Sequence, residues 1–395
     1  MKVYARDRDT LWYFSQMFGV PLELIIDSNL HANPTMLKIG EEIKIPGFVT
    51  VPYRIKSGDT LWKLALQKKL AIDAIMILNP QLDTPYVQQG DPIFLPKRIC
   101  MPCLQTNAGC DYKKFSDMIG ILQNIYPFIT VNSIGKSVLG KSIQEIRIGK
   151  GEKKVHINGA FHANEWITSL ILMRLLNSYL LFLTNPVLAK KQNPLVWYQN
   201  IELSLVPMVN PDGVDLVLNG PPIMERDKVI KINSGSEEFV HWKANIRGVD
   251  LNKQYPANWE IDKKKKAPLC PAPRDYPGSA PLTEPEAIAM ADLAKWNHFD
   301  YCIAFHTQGE EFYWGYEGHE PPESAQIAKE FEKKSGYKAV QYVDSHAGFK
   351  DWFLQEFKRP AFTIELGRGI NPLPLSQFDD ILKKVEGIFF TILSL

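Results

Sequence analysis

The octapeptide Gly159-Ala160-Phe161-His162-Ala163-Asn164-Glu165-Trp166 lies where the pattern of the chain changes. Ahead of it, Val155-His156-Ile157-Asn158 is β-rich and ends in small residues. After it, the apolar positions from Trp166 to Leu183 recur at helical spacing. His162 and Glu165 therefore fall where a strand hands over to a helix. Residues three apart at such a turn point both side chains at one metal ion, and an imidazole nitrogen and a carboxylate oxygen are both good zinc ligands. His-x-x-Glu alone also arises by chance or as a surface salt link, so its weight depends on the rest of the chain.

The chain has 395 residues, 45% hydrophobic and 23% charged, which is ordinary globular composition with room for two or three domains. Its 45 basic and 44 acidic residues leave a net charge of +1, so no field of one sign recruits nucleic acid or an anionic membrane. The start, Met1 to Asp9, lacks the apolar core of a signal peptide, and a cytoplasmic location is expected. The apolar run Ile167 to Leu183 is interrupted by Arg174 and Asn177, which favours a buried helix over a membrane span. The five cysteines, Cys100, Cys103, Cys110, Cys270 and Cys302, read most simply as reduced thiols. Cys100-x-x-Cys103 with Cys110 leaves a metal site or a redox pair open as alternatives.

Residues 1–100 contain an internal repeat. Asp9-Thr10-Leu11-Trp12 recurs as Asp59-Thr60-Leu61-Trp62, each followed by a short amphipathic helical pattern. A second helical segment then ends near an Asn (Leu22 to Asn29, Ile72 to Asn79), and each unit closes on a β-rich run into proline, Glu42 to Pro46 and Pro92 to Pro96. The order is strand, helix, helix, strand, in about 45 residues per unit. Asp9 and Asp59 are expected to cap the first helices, with the following Leu and Trp facing inward. The stretch Tyr53-x-Ile55-x-x-Gly58-Asp59-Thr60-Leu61-Trp62 resembles the LysM module; the first copy, with Arg8 in place of Gly58, is a looser match. That resemblance implies binding of N-acetylglucosamine-containing glycans such as peptidoglycan. The boundaries expected are 1–48 and 51–98 for the two modules, 99–111 for a linker, and 112–395 for one large domain.

From Tyr112 onward the chain alternates helical and strand patterns. Phe115 to Tyr126, Glu286 to Trp296 and Ser324 to Ser335 read as helices; Ser142 to Gly149, Val155 to Phe161, Ile201 to Val206, Tyr301 to Phe305 and Ala361 to Leu366 read as strands. Interleaved in this way they predict an α/β sheet covered by helices, whose ligand sites gather at strand ends. His162, His306 and Glu365 all lie at such ends. His162, Glu165 and His306 would give a two-histidine, one-carboxylate zinc site with an open position. An acid in an apolar strand, Glu365, is costly without a task or a partner.

His162-x-x-Glu165, Asn210-Pro211-Asp212-Gly213, Gly248-Val249-Asp250-Leu251-Asn252, His306 and Phe362-Thr363-Ile364-Glu365-Leu366 follow one another as in the M14 zinc carboxypeptidase family, which the chain resembles from about Tyr112 to the C-terminus. The resemblance implies a mixed eight-stranded sheet flanked by helices, one zinc per chain on His162, Glu165 and His306, Glu365 as general base and acid, and Asp250 orienting His162. Three positions depart from the family pattern. Trp242 is followed by Lys243 where the family carries an oxyanion-stabilising arginine, and Arg247 stands close behind; Lys243 matches by position. The family's Asn-Arg carboxylate clamp reads Asn252-Lys253, and a lysine cannot make the bidentate fork. The family's mobile tyrosine has two candidates, Tyr342 and His346, of which His346 is favoured. These departures fit a branch that cuts the γ-D-glutamyl–diaminopimelate bond of peptidoglycan stem peptides, with Arg368 as a further anchor for the diamino acid's carboxylate. The resemblance also suggests a sporulating-cell or spore setting. The alternatives are a carboxypeptidase of ordinary peptides and a glycan-binding protein with an inactive peptidase domain.

Overall fold

The computed structural model describes residues 1–82, 84–189, 192–266 and 268–395. The chain forms two compact units, one of Met1–Leu104 with Ile119–Thr130 and Leu176–Leu195, the other of the remaining residues.

In the first unit each repeat folds as the pattern implies. β1 (Lys2–Tyr4) pairs antiparallel with β2 (Glu42–Lys44), and β3 (Phe48–Arg54) with β4 (Pro92–Arg98). Helices Leu11–Phe18 and Leu22–Asp27 belong to the first repeat, Leu61–Lys68 and Asp73–Met76 to the second. A buried asparagine does the same job in both copies. Asn29 donates to Ile25 O at 2.8 Å and Lys44 O at 2.9 Å and accepts from Lys44 N at 2.8 Å. Asn79 does so with Ile75 O, Phe94 O and Phe94 N. Each amide thus ties the second helix to the closing strand, satisfying backbone groups that helix and strand leave open.

Two expectations for the repeats are corrected. The helix caps are Thr10 and Thr60, whose hydroxyls accept the N–H of Tyr13 and Lys63; Asp9 and Asp59 instead accept Arg6 N and Lys56 N and close the turn before the helix. Leu11 and Leu61 are buried, but Trp12 is 59% and Trp62 69% exposed. On a helix only one of two adjacent residues faces the core of so small a module, and leucine takes that place. Between the repeats, Arg6 grips Asp73 through two bonds of 2.7 and 2.6 Å, and Tyr13 donates to the same carboxylate at 2.7 Å.

The second unit is built on β5 (Thr130–Lys136), β6 (Ser142–Ile148), β7 (Lys153–Gly159), β8 (Ile201–Val206), β9 (Tyr301–Thr307), β10 (Glu311–Tyr313), β11 (Lys338–Val340) and β12 (Ala361–Leu366). They form one eight-stranded mixed sheet in the order β11-β10-β12-β9-β7-β8-β6-β5. The centre, β12-β9-β7-β8, is parallel, while β10 and β6 run against β12 and β8. The four central strands are almost wholly buried, as parallel strands covered by helices are. Three outlying strands, β5, β10 and β11, escaped the sequence reading. β5, Thr-Val-Asn-Ser-Ile-Gly-Lys, is largely exposed and shows no alternation, and β10 and β11 have three residues each. Ala163–Thr184 is long and apolar enough to cross a membrane, and 83% of that window is buried inside the molecule.

Helix Pro285–Asn297 buries Glu286 in its first turn. One carboxylate oxygen accepts Val138 N at 3.0 Å, and the other lies 3.4 Å from the Asn245 amide, which donates more closely to Glu284 at 2.7 Å. Burial, and then the nearby Asp212, push the Glu286 carboxyl from its usual 4.5 up to about 7. A raised acid holds its proton more tightly folded than unfolded. Its contribution to stability is complete below the unfolded value and is lost as pH rises through the folded one, on the order of 3 kcal/mol in all. Glu286→Gln, which keeps the acceptor for Val138, should therefore flatten the fall of Tm between about pH 4.5 and 7. An unchanged slope would show that Glu286 is not the group responsible.

Candidate metal centre

β7 ends at Gly159, where the chain must turn sharply. A Cβ there would stand 3.0 Å from both Leu172 Cδ1 and Thr168 Oγ1, tighter than ordinary contact, which favours glycine. Ala160 follows in the left-handed region, φ 50°. It is held by Thr168 Oγ1, which accepts its N–H at 2.8 Å and donates to Glu165 O at 2.8 Å. A single 3-10 turn, Ala163–Glu165, then swings Glu165 back beside His162.

From the far side comes His306, near the end of β9. His162 Nδ1 lies 2.8 Å from Glu165 Oε1, His306 Nδ1 lies 3.0 Å from Glu165 Oε2, and the two Nδ1 atoms are 3.1 Å apart. All three side chains are buried. Among the described residues this is the group of His, Cys, Asp or Glu whose ligand atoms converge, all within 4.8 Å, and no cysteine joins it. Two ring nitrogens facing each other across a shared carboxylate need a proton or a cation between them. Arms of about 2.0–2.1 Å would set ligand atoms of tetrahedral zinc roughly 3.3 Å apart, close to the separations seen. The residues fit zinc.

The second nitrogen of His162, Nε2, meets Asp250 Oδ1 at 3.2 Å, which fixes the ring with Nδ1 toward the centre. Asp250 Oδ2 faces Lys243 Nζ at 3.1 Å, and Asp275 lies 3.5 Å from the same ammonium. Burial disfavours charge on Lys243, but Asp250 and then Asp275 outweigh it, and its pKa is raised. Burial also opposes ionisation of Asp250, yet Lys243 and His162 hold its carboxyl well below the usual range. In Glu165 the two histidines likewise overcome burial and lower the carboxyl. Arg247 is directed elsewhere, 3.5 Å from Glu284.

Glu365 stands on β12 beside His306 on β9, and the parallel register pairs the two residues. Unlike the three converging residues it keeps partial exposure. Withdrawal from water, then the charge of Glu165, raise its carboxyl, with His162 and Lys243 acting against them.

The other sequence-derived candidates are more heavily engaged. Asn252 Oδ1 accepts Phe349 N at 2.9 Å, and Lys253 Nζ is bound to Asp262 at 2.6 Å. His346 is buried against the Tyr316 hydroxyl at 3.1 Å, whereas Tyr342 is exposed and hydrogen-bonded to Glu320. Arg368 is 77% exposed and pairs with Glu310 at 2.9 Å. Two contributors were missed. Asn210, first residue of the Asn-Pro-Asp-Gly motif, donates to Phe161 O at 3.1 Å and Ala244 O at 3.0 Å, joining the backbone before His162 to the backbone after Lys243. A Cβ on Gly213 would stand 2.6 Å from Asn210 Oδ1 and 2.7 Å from Ala244 O, so the motif needs both its Asn and its Gly. Asn371 has no motif around it; it lies beside Thr307 and Glu165.

Comparison with known proteins places this geometry. Residues 116–386 match the family model for zinc carboxypeptidase, Peptidase_M14, and residues 6–46 and 53–96 match the LysM domain. The chain is 48% identical over 391 residues, 98% of each chain, to the Gamma-D-glutamyl-L-diamino acid endopeptidase 1 of Lysinibacillus sphaericus. It is 50% identical over 277 residues, 68% of this chain and 73% of the other, to the uncharacterised protein YqgT of Bacillus subtilis (strain 168). Among solved structures, thrombin activatable fibrinolysis inhibitor shares the fold at TM-score 0.57 and 19% identity, covering 74% of this chain and 80% of its own. The chain belongs to the M14 zinc carboxypeptidase family, a zinc metallopeptidase with two LysM domains ahead of its catalytic domain.

Proposed function

We propose that this enzyme hydrolyses the γ-D-glutamyl–meso-diaminopimelate bond of peptidoglycan stem peptides while its LysM domains hold it on the glycan. The observation that carries the reading is the end-to-end similarity to a γ-D-glutamyl-L-diamino acid endopeptidase, 48% identity over 98% of both chains. The buried ligand group and Glu365 argue against an inactive peptidase domain.

One zinc per chain, held by His162, Glu165 and His306, would supply Lewis-acid polarisation and an acidified water at neutral pH. Glu365 takes the proton of the attacking water and returns it to the leaving amine; its raised affinity for a proton suits both halves of that task. Lys243, kept cationic by Asp250, faces the charge that develops on the carbonyl oxygen. Asp250 holds the rear of the His162 ring, so one acid sets both a metal ligand and the cation. Asn252 and Lys253, the latter drawn from its pairing with Asp262, would offer the diamino acid's carboxylate a point charge rather than a fork. His346, held by the Tyr316 hydroxyl, takes the place of the family's mobile tyrosine.

The roles separate in a variant series. His162→Ala and His306→Ala should lose the copurifying zinc, whereas Glu365→Ala should keep it and lose turnover. Lys243→Ala should lower kcat by about 10²–10³, the usual cost of an oxyanion donor, and Arg247→Ala should change it little. Near-normal turnover in Glu365→Ala, measured with a defined muropeptide, would rule out the mechanism.

Substrate choice is read by mass spectrometry of competing peptides. L-Ala-γ-D-Glu-meso-diaminopimelate should be cut after D-glutamate, and amidating its diaminopimelate carboxylates should weaken transition-state binding by about 1–3 kcal/mol. Equal rates for the two, or faster release of a C-terminal aromatic residue, would make the protein an ordinary carboxypeptidase.

Trp12 and Trp62 are exposed at the same place in both repeats, and flat aromatic faces suit sugar rings. The double variant Trp12→Ala/Trp62→Ala should sediment less with insoluble peptidoglycan and cleave a small soluble tripeptide as before. Undiminished sedimentation would remove the tryptophans from the glycan surface.

A further inference from the structure

Asn371 lies in the segment that follows β12, yet its side chain belongs to the metal centre. Its Oδ1 accepts the Thr307 hydroxyl at 2.7 Å, and its Nδ2 donates to Thr307 O at 2.9 Å. The same Nδ2 reaches to 3.5 Å from Glu165 Oε1. The orientation of the amide is dictated by these partners. Turned over, its oxygen would face a carbonyl and a carboxylate, neither of which has a proton to give. The backbone of Asn371 is held as well, its carbonyl 2.9 Å from His241 Nδ1.

Among the described residues the Glu165 carboxylate has three hydrogen-bonding neighbours: His162, His306 and Asn371. Both imidazole contacts are made by Nδ1, the atoms that would bind a metal ion. Once those nitrogens serve as ligands, they have no proton for the carboxylate. Among the described residues the Asn371 amide is then the donor left to Glu165. Thr307, which grips the other end of the amide, directly follows the ligand His306. One asparagine therefore links two of the three ligands.

We propose that Asn371 is a positioning residue of the zinc site. It fixes the Glu165 carboxylate by donating to Oε1 and locks it to the strand end that carries His306, with Thr307 as its anchor. Partners that orient metal ligands in this way are typically worth about 10- to 100-fold in metal affinity or activity.

The test measures zinc affinity of the full-length protein by chelator competition, with Tm of the metal-free form recorded in parallel. Asn371→Ala should weaken zinc binding by about 10- to 100-fold and lower kcat with KM nearly unchanged. Thr307→Val, which removes only the anchoring hydroxyl, should have a smaller effect in the same direction. The double variant should be no worse than Asn371→Ala alone, because both act through one contact. A lowered Tm with zinc affinity within about twofold of wild type would overturn the proposal, leaving Asn371 a loop fastener. So would effects of the two substitutions that simply add. Absence of tight zinc binding by the wild-type protein would instead remove the metal centre, and this role with it.

Discussion

Asp250 is the interaction on which the site depends. It is fully buried, and a lone carboxylate there would carry a desolvation penalty of several kcal/mol. His162 Nε2 on one oxygen and Lys243 Nζ on the other offset that penalty. The compensation works in both directions, since neither a half-buried lysine nor a correctly turned histidine would hold its state without the acid. Replacing either partner leaves a charge stranded in the interior, so the trio behaves as one unit. The backbone reinforces it, with Ala163 N donating to Lys243 O at 3.0 Å.

The second constraint is register. His306 and Glu365 are neighbours because β9 and β12 pair in parallel with those residues opposite one another. A slip of one residue would turn Glu365 to the other face of the sheet. Glu311 continues the row on β10, opposite Glu365, and adds a smaller push to those that raise the Glu365 carboxyl. The apolar residues that alternate along these strands thus do more than make a core. They hold the spacing between a ligand and a base.

Much of this was legible in the sequence because its signals are local. The turn from β7 into the Ala163–Glu165 helix is written in small residues around His162-x-x-Glu165, and strand ends mark His306 and Glu365. Local reading erred where two neighbouring residues compete for one role. Thr10 and Thr60 took the caps assigned to Asp9 and Asp59, and leucine took the inward position that tryptophan was expected to share. Lys243 and Arg247 are separated only by tertiary partners, Asp250 for one and Glu284 for the other. Asn371 gave no signal at all, because its value comes from Glu165, 206 positions away in the chain. The short strands β10 and β11 are held by pairing with β12 and with each other, a long-range property with no pattern of its own.

The Arg6–Asp73 fork between the repeats has a consequence for avidity. Two weak sugar-binding modules on a slack tether meet a polymer with an effective concentration set by the tether's length and its statistics. Here a bidentate guanidinium–carboxylate pair, with Tyr13 on the same acid, replaces statistics with a set spacing. A polymer whose binding units fall at that spacing would engage the second module with little further loss of freedom, and one out of phase would gain nothing from it.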